Sequence, residues 1–351
     1  MKLISILFIF ISFLVFMGAC QQPSGVDKAS EKESLVDSLE ESQKTKKRKS
    51  SVDPVLVKLN EQIYKNPEVA EFYYERAKYF YEKEQHLRAL KDAERLLELD
   101  SNKASHQFLF GQIAFEQGGY GRAETAWERT IELDDNHVDA YVKLGELNFY
   151  FSEYLQAFRY LNEALRIDEF NDYAYFLKGL SYKEMKDTAR AISSFETALE
   201  VQPSNYDAHM QLGLLYSAQN DPKAIRYFGN AMRIKPHKVE PYYARGYYYQ
   251  WRPKPDKAIA DYQKALEADP NHLGSNYNLG YIYLHQKEDL DSAELYFDKV
   301  ISIDYTNKHA YYRKGLIAMQ RGDKANAEKH LQRALEIDGD FDLAQEALNE
   351  L

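Results

Sequence analysis

The chain is poor in several things at once. It has one cysteine, Cys20, in 351 residues. A single thiol builds no disulfide framework, zinc cluster or redox pair within the chain. It lacks an excess of positive charge: Lys and Arg number 45 against 55 Asp and Glu, a net charge of -10. Such a chain repels phosphate backbones, so nucleic acid is not an expected partner. Its longest apolar run, from Leu3 to Met17, falls short of the roughly 20 residues a spanning helix needs. It also lacks a Gly-rich phosphate loop, a His-Glu-x-x-His pair and a Gly-x-Ser-x-Gly elbow, the local patterns that carry phosphate, zinc or acyl-transfer chemistry. No cofactor is expected, no metal is expected, and the chain does not read as an enzyme.

What is present begins at the N-terminus. Met1-Lys2, the apolar run and the small pair Gly18-Ala19 form the pattern of a secretory signal over residues 1–19. Cys20 follows at once, and this resembles a bacterial lipoprotein signal. The resemblance implies cleavage before Cys20 and acylation of its thiol, although Met17 stands where that family usually has Leu. Acyl chains contribute about 0.8 kcal/mol per buried CH₂, so two or more anchor a protein stably. An uncleaved N-terminal anchor is the alternative. Gln21, in place of an Asp retention signal, points to the outer membrane facing the periplasm of a bacterial cell envelope. Residues 20–51 read as a disordered tether, rich in Ser, Lys and Glu and without aromatic residues. A flexible coil of that length spans roughly 30 Å. Its basic cluster Lys44, Lys46, Lys47, Arg48 and Lys49 reads as solvated linker ahead of a lipid-headgroup contact.

The body, residues 52–351, is periodic. Alanines recur at 89, 123, 157, 191, 224, 258, 293 and 327, a spacing of 33 to 35 residues. A small residue precedes each one: Ala77, Gly111, Gly145, Gly179, Gly213, Gly246, Gly280 and Gly315. The gap is 12 residues except in the fifth unit, where it is 11, and in the seventh, where it is 13. Four residues after each alanine stands a mostly bulky apolar one: Ala93, Trp127, Leu161, Phe195, Phe228, Tyr262, Phe297 and Leu331. Offsets of three and four are helical, so each unit reads as two helices joined by a turn. Gly118-Gly119, Asn220-Asp221-Pro222, Pro253 with Pro255, and Gly322-Asp323 mark turns. Pro203, Pro236 and Pro270 mark unit ends. The small residues are expected to let paired helices approach closely, Gly against Ala, with the bulky residue filling a groove against the next unit. A two-helix unit cannot bury both faces alone, so units stack.

This pattern resembles the tetratricopeptide repeat family, whose pattern is a small residue at position 8, Ala at 20, an aromatic at 24 and Pro at 32. The resemblance covers eight repeats: 70–103, 104–137, 138–171, 172–205, 206–238, 239–272, 273–307 and 308–341. Position 4, usually Trp, holds Tyr73, Tyr141, Tyr175, Tyr242, Tyr311, Gln107, His209 or Asn276. Ala93 at the bulky position predicts looser packing in the first repeat. The implied fold is all-α, a right-handed superhelical solenoid with the first helix of each repeat on the concave side. Flanking helices at 54–65 and 342–351 are expected to cover the ends, the latter through Leu343, Ala347, Leu348 and Leu351.

Positions 2, 5, 9, 12 and 13 of the resembled family usually meet the ligand. Here they give an aromatic face in repeats 6 to 8: Tyr243, Tyr247, Trp251, Tyr277, Tyr281, Leu284, Tyr312, Leu316 and Met319. Aromatic concentration marks contact surfaces, yet a stripe at helical spacing also packs core, and both readings stand at this point. The family's chaperone-tail subclass grips a carboxylate with Lys at 5 and Asn at 9, neither of which stands here. His137 and His272, at unit junctions, read as surface residues, and His209 as a satisfied core histidine. Glu288, Asp289 and Asp291 lack the glycine and distal Glu of a calcium loop. The leading expectation is a membrane-anchored scaffold holding a peptide segment or partner subunit. A self-paired homodimer and a carbohydrate-binding surface are the alternatives.

Overall fold

The computed structural model describes residues 53–351, which form 18 α-helices and one π-helical turn, with no strand among the described residues. The signal over 1–19, Cys20 and the tether through residue 51 lie outside the described residues. The chain divides into two compact units, residues 1–67 and 68–351. In the first, Pro54–Lys65 is a helix. Asp53 caps it by accepting from the Val55 N–H at 2.9 Å, and Pro54 starts it where a missing N–H costs nothing.

In the second unit the first helices of the eight repeats run Ala70–Glu82, Ala104–Glu116, Val138–Tyr150, Asp172–Glu184, Tyr206–Ala218, Val239–Gln250, Leu273–Ile282 and Lys308–Gln320. Their second helices run His86–Leu99, Tyr120–Leu133, Tyr154–Ile167, Thr188–Val201, Lys223–Ile234, Pro255–Ala268, Leu290–Ile303 and Lys324–Ile337. The final helix is Asp342–Asn349. Each helix packs on its neighbours in the chain, and first helices also meet first helices of adjacent repeats. That places the first helices on the tighter, inner side of a helical-repeat solenoid.

The alanines of the period are fully buried, and the glycines explain the bulky residues. A Cβ on Gly111 would stand 2.4 Å from Trp127, one on Gly179 2.6 Å from Phe195, and one on Gly213 2.5 Å from Phe228. These distances are far inside van der Waals contact. The bulky side chain therefore lies over the glycine of its own repeat. It also clusters with the next repeat, as expected, Leu161 with Ala174 and Leu177 and Phe297 with Ala310 and Ile317. The same rule extends to the first repeat. Ala77 carries the Cβ that the other repeats lack, its partner shrinks to Ala93, and both are 0% exposed.

Closure of the turn inside each repeat is also repeated. Glu84, Gly118, Ser152, Lys186, Asn220 and Gly322 take left-handed φ between 58° and 73°. The next N–H then reaches back five residues, from Gln85 to Phe80 O (2.8 Å), Gly119 to Ala114 O (2.9 Å), Glu153 to Asn148 O (2.8 Å), Asp187 to Tyr182 O (2.9 Å), Asp221 to Tyr216 O (2.9 Å) and Asp323 to Ala318 O (2.9 Å). This satisfies a carbonyl the helix end would otherwise leave open. Two repeats depart. In the sixth, Pro253 occupies the left-handed position; its ring forbids that φ, and Lys254 N–H turns instead to Arg252 O at 2.6 Å. In the seventh, the extra residue is absorbed as a π-helical turn, Tyr283–Lys287, closed by Glu288 at φ 53° and by Asp289 N–H to Tyr283 O at 3.0 Å.

Between repeats, an Asp ends the second helix and accepts from the N–H two residues on, as at Asp100, Asp134, Asp168, Asp269, Asp304 and Asp338. Position 4 then reaches back six residues to a junction carbonyl. Gln107 donates to Ser101 O, Tyr242 to Pro236 O and Asn276 to Pro270 O, while His209 Nε2 lies 3.0 Å from Pro203 O. His209 is thus buried, as expected, but only half satisfied: Nε2 meets Pro203 O while Nδ1 is buried without a partner, and burial holds its pKa down. His137 and His272 are not free surface residues. They are half-buried N-caps whose Nδ1 accepts from Ala140 N–H (3.3 Å) and Ser275 N–H (3.2 Å). In the last helix Leu343 turns outward, 49% exposed, while Phe341, Ala344 and Ala347 form the buried face. That face has spacing three, so it excludes 343.

Candidate interaction surface

The nine aromatic and apolar residues expected on one face separate by position. Of the three at position 5, Tyr243 and Tyr312 lean on the entry to the next repeat, while Tyr277 packs on Phe297 of its own repeat. Tyr243 meets the His272 ring edge-on, centroids 4.9 Å apart. Tyr312 meets Phe341 at 5.5 Å, and Phe108 meets His137 at 4.6 Å in the same way. His137, His272 and Phe341 are all N-cap residues. In these three repeats the position-5 ring therefore packs against the entry to the next repeat. Tyr277 is half-buried against Phe297, centroids 5.5 Å apart. Tyr312, Leu316 and Met319 are half-buried against the cluster of Leu331, Ala334 and Phe341. Leu284 is not on the face: it is 2% exposed and packs with Phe297 and Ala293. Leu284 stands at position 12, where Gln250 of repeat 6 is likewise buried at 4%, whereas Trp251 stands at position 13.

Two residues, Tyr247 and Trp251, remain exposed and connect to the half-buried Tyr281. Tyr247 (48% exposed) and Trp251 (61% exposed) stand one helical turn apart, ring centroids 6.2 Å from each other. Trp251 lies 6.2 Å from Tyr281 in the next repeat, and Tyr281 lies 4.5 Å from His285. Arg313, from the eighth repeat, sits over both Tyr281 (5.3 Å) and Tyr312 (5.2 Å) and donates to His285 Nε2 at 3.2 Å. Burial and then the Arg313 charge hold His285 below its ordinary pKa, which suits an acceptor role. The face thus offers broad rings beside one guanidinium, a combination that buries an apolar segment and pairs with its carbonyl or carboxylate oxygens.

Sequence reasoning missed two members. Leu180 and Leu214 occupy the same register, one after the small residue, in repeats 4 and 5; Leu180 is half-buried and Leu214 is 47% exposed. With Tyr247, Tyr281 and Leu316 they make an apolar line over five consecutive repeats. The signal was present at position 9 of those repeats and needed only to be followed past aromatics to aliphatics. The acidic turn after Tyr281 is otherwise engaged. Asp289 caps the helix through Ser292 (3.0 Å), and Asp291 pairs with Arg321 (2.5 Å).

Among known proteins, profiles described as Tetratricopeptide repeat match residues 108–172, 172–205, 243–304 and 309–341, together more than half of the chain. The chain is 25% identical over 136 residues to Protein O-mannosyl-transferase TMTC3 of Homo sapiens, covering 36% of this chain and 15% of that one. It is 40% identical over 57 residues to the uncharacterized protein ycf37 of Pyropia yezoensis, covering 16% of this chain and 32% of that one. The chain therefore spans less than a third of the length of either relative. Among solved structures, pilF of Pseudomonas aeruginosa superposes with a TM-score of 0.50 at 18% identity, covering 62% of this chain and 99% of that chain. That likeness shows the fold.

Proposed function

Because this chain belongs to the tetratricopeptide repeat family, we propose that it is a scaffold that holds a segment of another protein rather than a catalyst. The observation that carries this reading is the chain of rings Tyr247, Trp251 and Tyr281, the first two exposed and the third half-buried, lined up with Leu214 and Leu180 on the inner helices. A packing role leaves large rings covered; a contact role leaves them open until a partner arrives. We further propose a bacterial envelope location, with Cys20 as the lipid-bearing residue and the protein on the outer membrane. The support for this is the signal pattern ending at Gly18-Ala19-Cys20.

Two measurements test the two parts separately. A photoreactive residue in place of Tyr247 gives a discrete adduct in the native cell, and Trp251→Ser with Tyr281→Ser removes that adduct while the helical melting curve stays within a few degrees. Collapse of the melt would instead make these rings packing. Metabolic palmitate labelling is lost in Cys20→Ala; labelling that persists would end the lipid-anchor reading and leave the scaffold reading untouched.

A further inference from the structure

A second exposed aromatic group lies away from the surface just described, at the turn edge of repeats 2 and 3. Tyr120, Tyr150 and Phe151 contact one another with centroids 5.2 to 5.5 Å apart. Tyr150 is 46% and Phe151 50% exposed. Carboxylates flank the rings along the chain, Glu116 four residues before Tyr120 and Glu153 two residues after Phe151. The Tyr120 hydroxyl is raised in pKa first by its hydrogen bond with Tyr150, then by burial, and also by Glu116. Glu124 is raised by burial and by Glu128 and Glu153, so these acids crowd one another.

At position 11 of other repeats the protein covers an aromatic ring itself. An aromatic near the end of a first helix takes a cation from the start of the second helix, seven or eight residues on: Arg88 over Phe80 (5.7 Å), Arg190 over Tyr182 (5.3 Å), Lys223 over Tyr216 (4.9 Å) and Lys257 over Tyr249 (5.7 Å). In repeat 3 the residue at the corresponding place on the second helix is Gln156, with Glu153 at the N-cap. Arg122, at that place in repeat 2, lies over Phe110 and pairs with Glu94. Position 11, where those covered rings stand, holds Ala114 and Asn148 in repeats 2 and 3; the patch rings stand further along, with Glu116 acting on Tyr120 and Glu153 two residues after Phe151. Negative ring faces and crowded carboxylates both attract positive charge, and they do so jointly.

We propose that this patch is a docking site for a basic protein segment, one that inserts a lysine or arginine side chain over Tyr120, Tyr150 and Phe151 and pairs it with Glu116, Glu124 and Glu153. The site is independent of the Tyr247–Trp251–Tyr281 surface, and a partner can hold both at once. Charge complementarity selects the occupant: an acidic or neutral segment would leave the carboxylates repelling one another.

The test uses the full-length protein and a fluorescent octapeptide of alternating glycine and arginine, with the matching glycine–glutamate peptide as control. Anisotropy is read at low and high salt. The expected result is saturable binding of the basic peptide only, weakened about fivefold or more by Tyr150→Ala with Phe151→Ala, and weakened with a shallower salt dependence by Glu116→Gln with Glu153→Gln. Both pairs are at the surface, and unchanged circular dichroism verifies the fold. Glu132→Gln with Glu163→Gln, on second helices away from the patch, leaves binding unchanged. Binding that ignores the ring substitutions, or that falls equally with the distant glutamates, reduces the effect to general attraction to an acidic chain and overturns the proposal. So does sedimentation showing that wild type self-associates and the Tyr150→Ala, Phe151→Ala variant does not, since the occupant would then be a second copy. Loss of the Tyr247 adduct has no bearing on this result.

Discussion

Repeats 2 to 5 and repeats 6 and 7 are built from the same unit and differ in how the turn inside it closes. In the earlier group a left-handed residue lets an N–H reach back five residues, and the first helix ends cleanly. In the later pair, Pro253 blocks that conformation and the π-helical turn lengthens the reach by one residue. Trp251, Tyr281 and His285 lie at or beside these two altered turns. The comparison shows that both groups keep a glycine under a bulky side chain in the interior of the unit, whereas the turn varies, and that the most exposed aromatic of the inner helices stands at a turn that departs.

The sharpest way to break the comparison is to attack the interior that both groups share. Leu161→Ala is expected to cost about 2–5 kcal/mol, and Gly145→Ala about 1–3 kcal/mol, because its Cβ would stand 2.6 Å from Leu161. The double substitution recreates the Ala77–Ala93 pair of the first repeat. It should cost less than the sum by about 1 kcal/mol or more, measured by denaturant unfolding. Strict additivity would mean that the two positions do not share one volume.

A smaller effect separates the turns. Lys186→Gly removes a side chain from the left-handed region (φ 64°) and should stabilise by about 1 kcal/mol. Pro253→Gly restores both the conformation and a donor in repeat 6, and should stabilise by less, roughly 0.5 kcal/mol, because it also loosens the unfolded chain. If Pro253→Gly destabilises, the proline turn is favoured in its own right and does not merely replace the common closure.

The smallest expected effect is a slope with pH. Burial holds His209, His272, His285, His309 and His330 below their ordinary value of 6.5. As pH falls through 6.5 the unfolded chain takes up protons before the folded one, so stability is full above that value and declines below it. The melting temperature should fall between pH 7.5 and 5.5. His209→Gln, which keeps a donor for Pro203 O as Gln107 does for Ser101 O, should flatten part of that slope. An unchanged slope would remove His209 from the account.

Much of this architecture is legible in the residues alone, since a small side chain every 34 or so positions has a geometric meaning that composition cannot imitate. The helix starts at 70, 104, 138, 172, 206, 239, 273 and 308 coincide with the repeat boundaries read from the period. Three things were not legible. The seventh unit visibly carries an extra residue, but the sequence does not say which element absorbs it. Position 5 looks identical to a contact stripe until the N-cap ring of the following repeat is known, as with Tyr243 and His272. The left-handed turn residues Glu84, Ser152 and Lys186 carry none of the glycine or asparagine that usually announces such a turn.

The ring seated on the doorway of the following unit has a mechanical consequence. Phe108 on His137, Tyr243 on His272 and Tyr312 on Phe341 act like keyed joints between vertebrae. Each fixes the angle at one articulation without stiffening its neighbours. Whittling away one such key would leave every vertebra intact and let the column swing at that level alone. The curvature of the whole is therefore set joint by joint, and selection can adjust it one aromatic at a time.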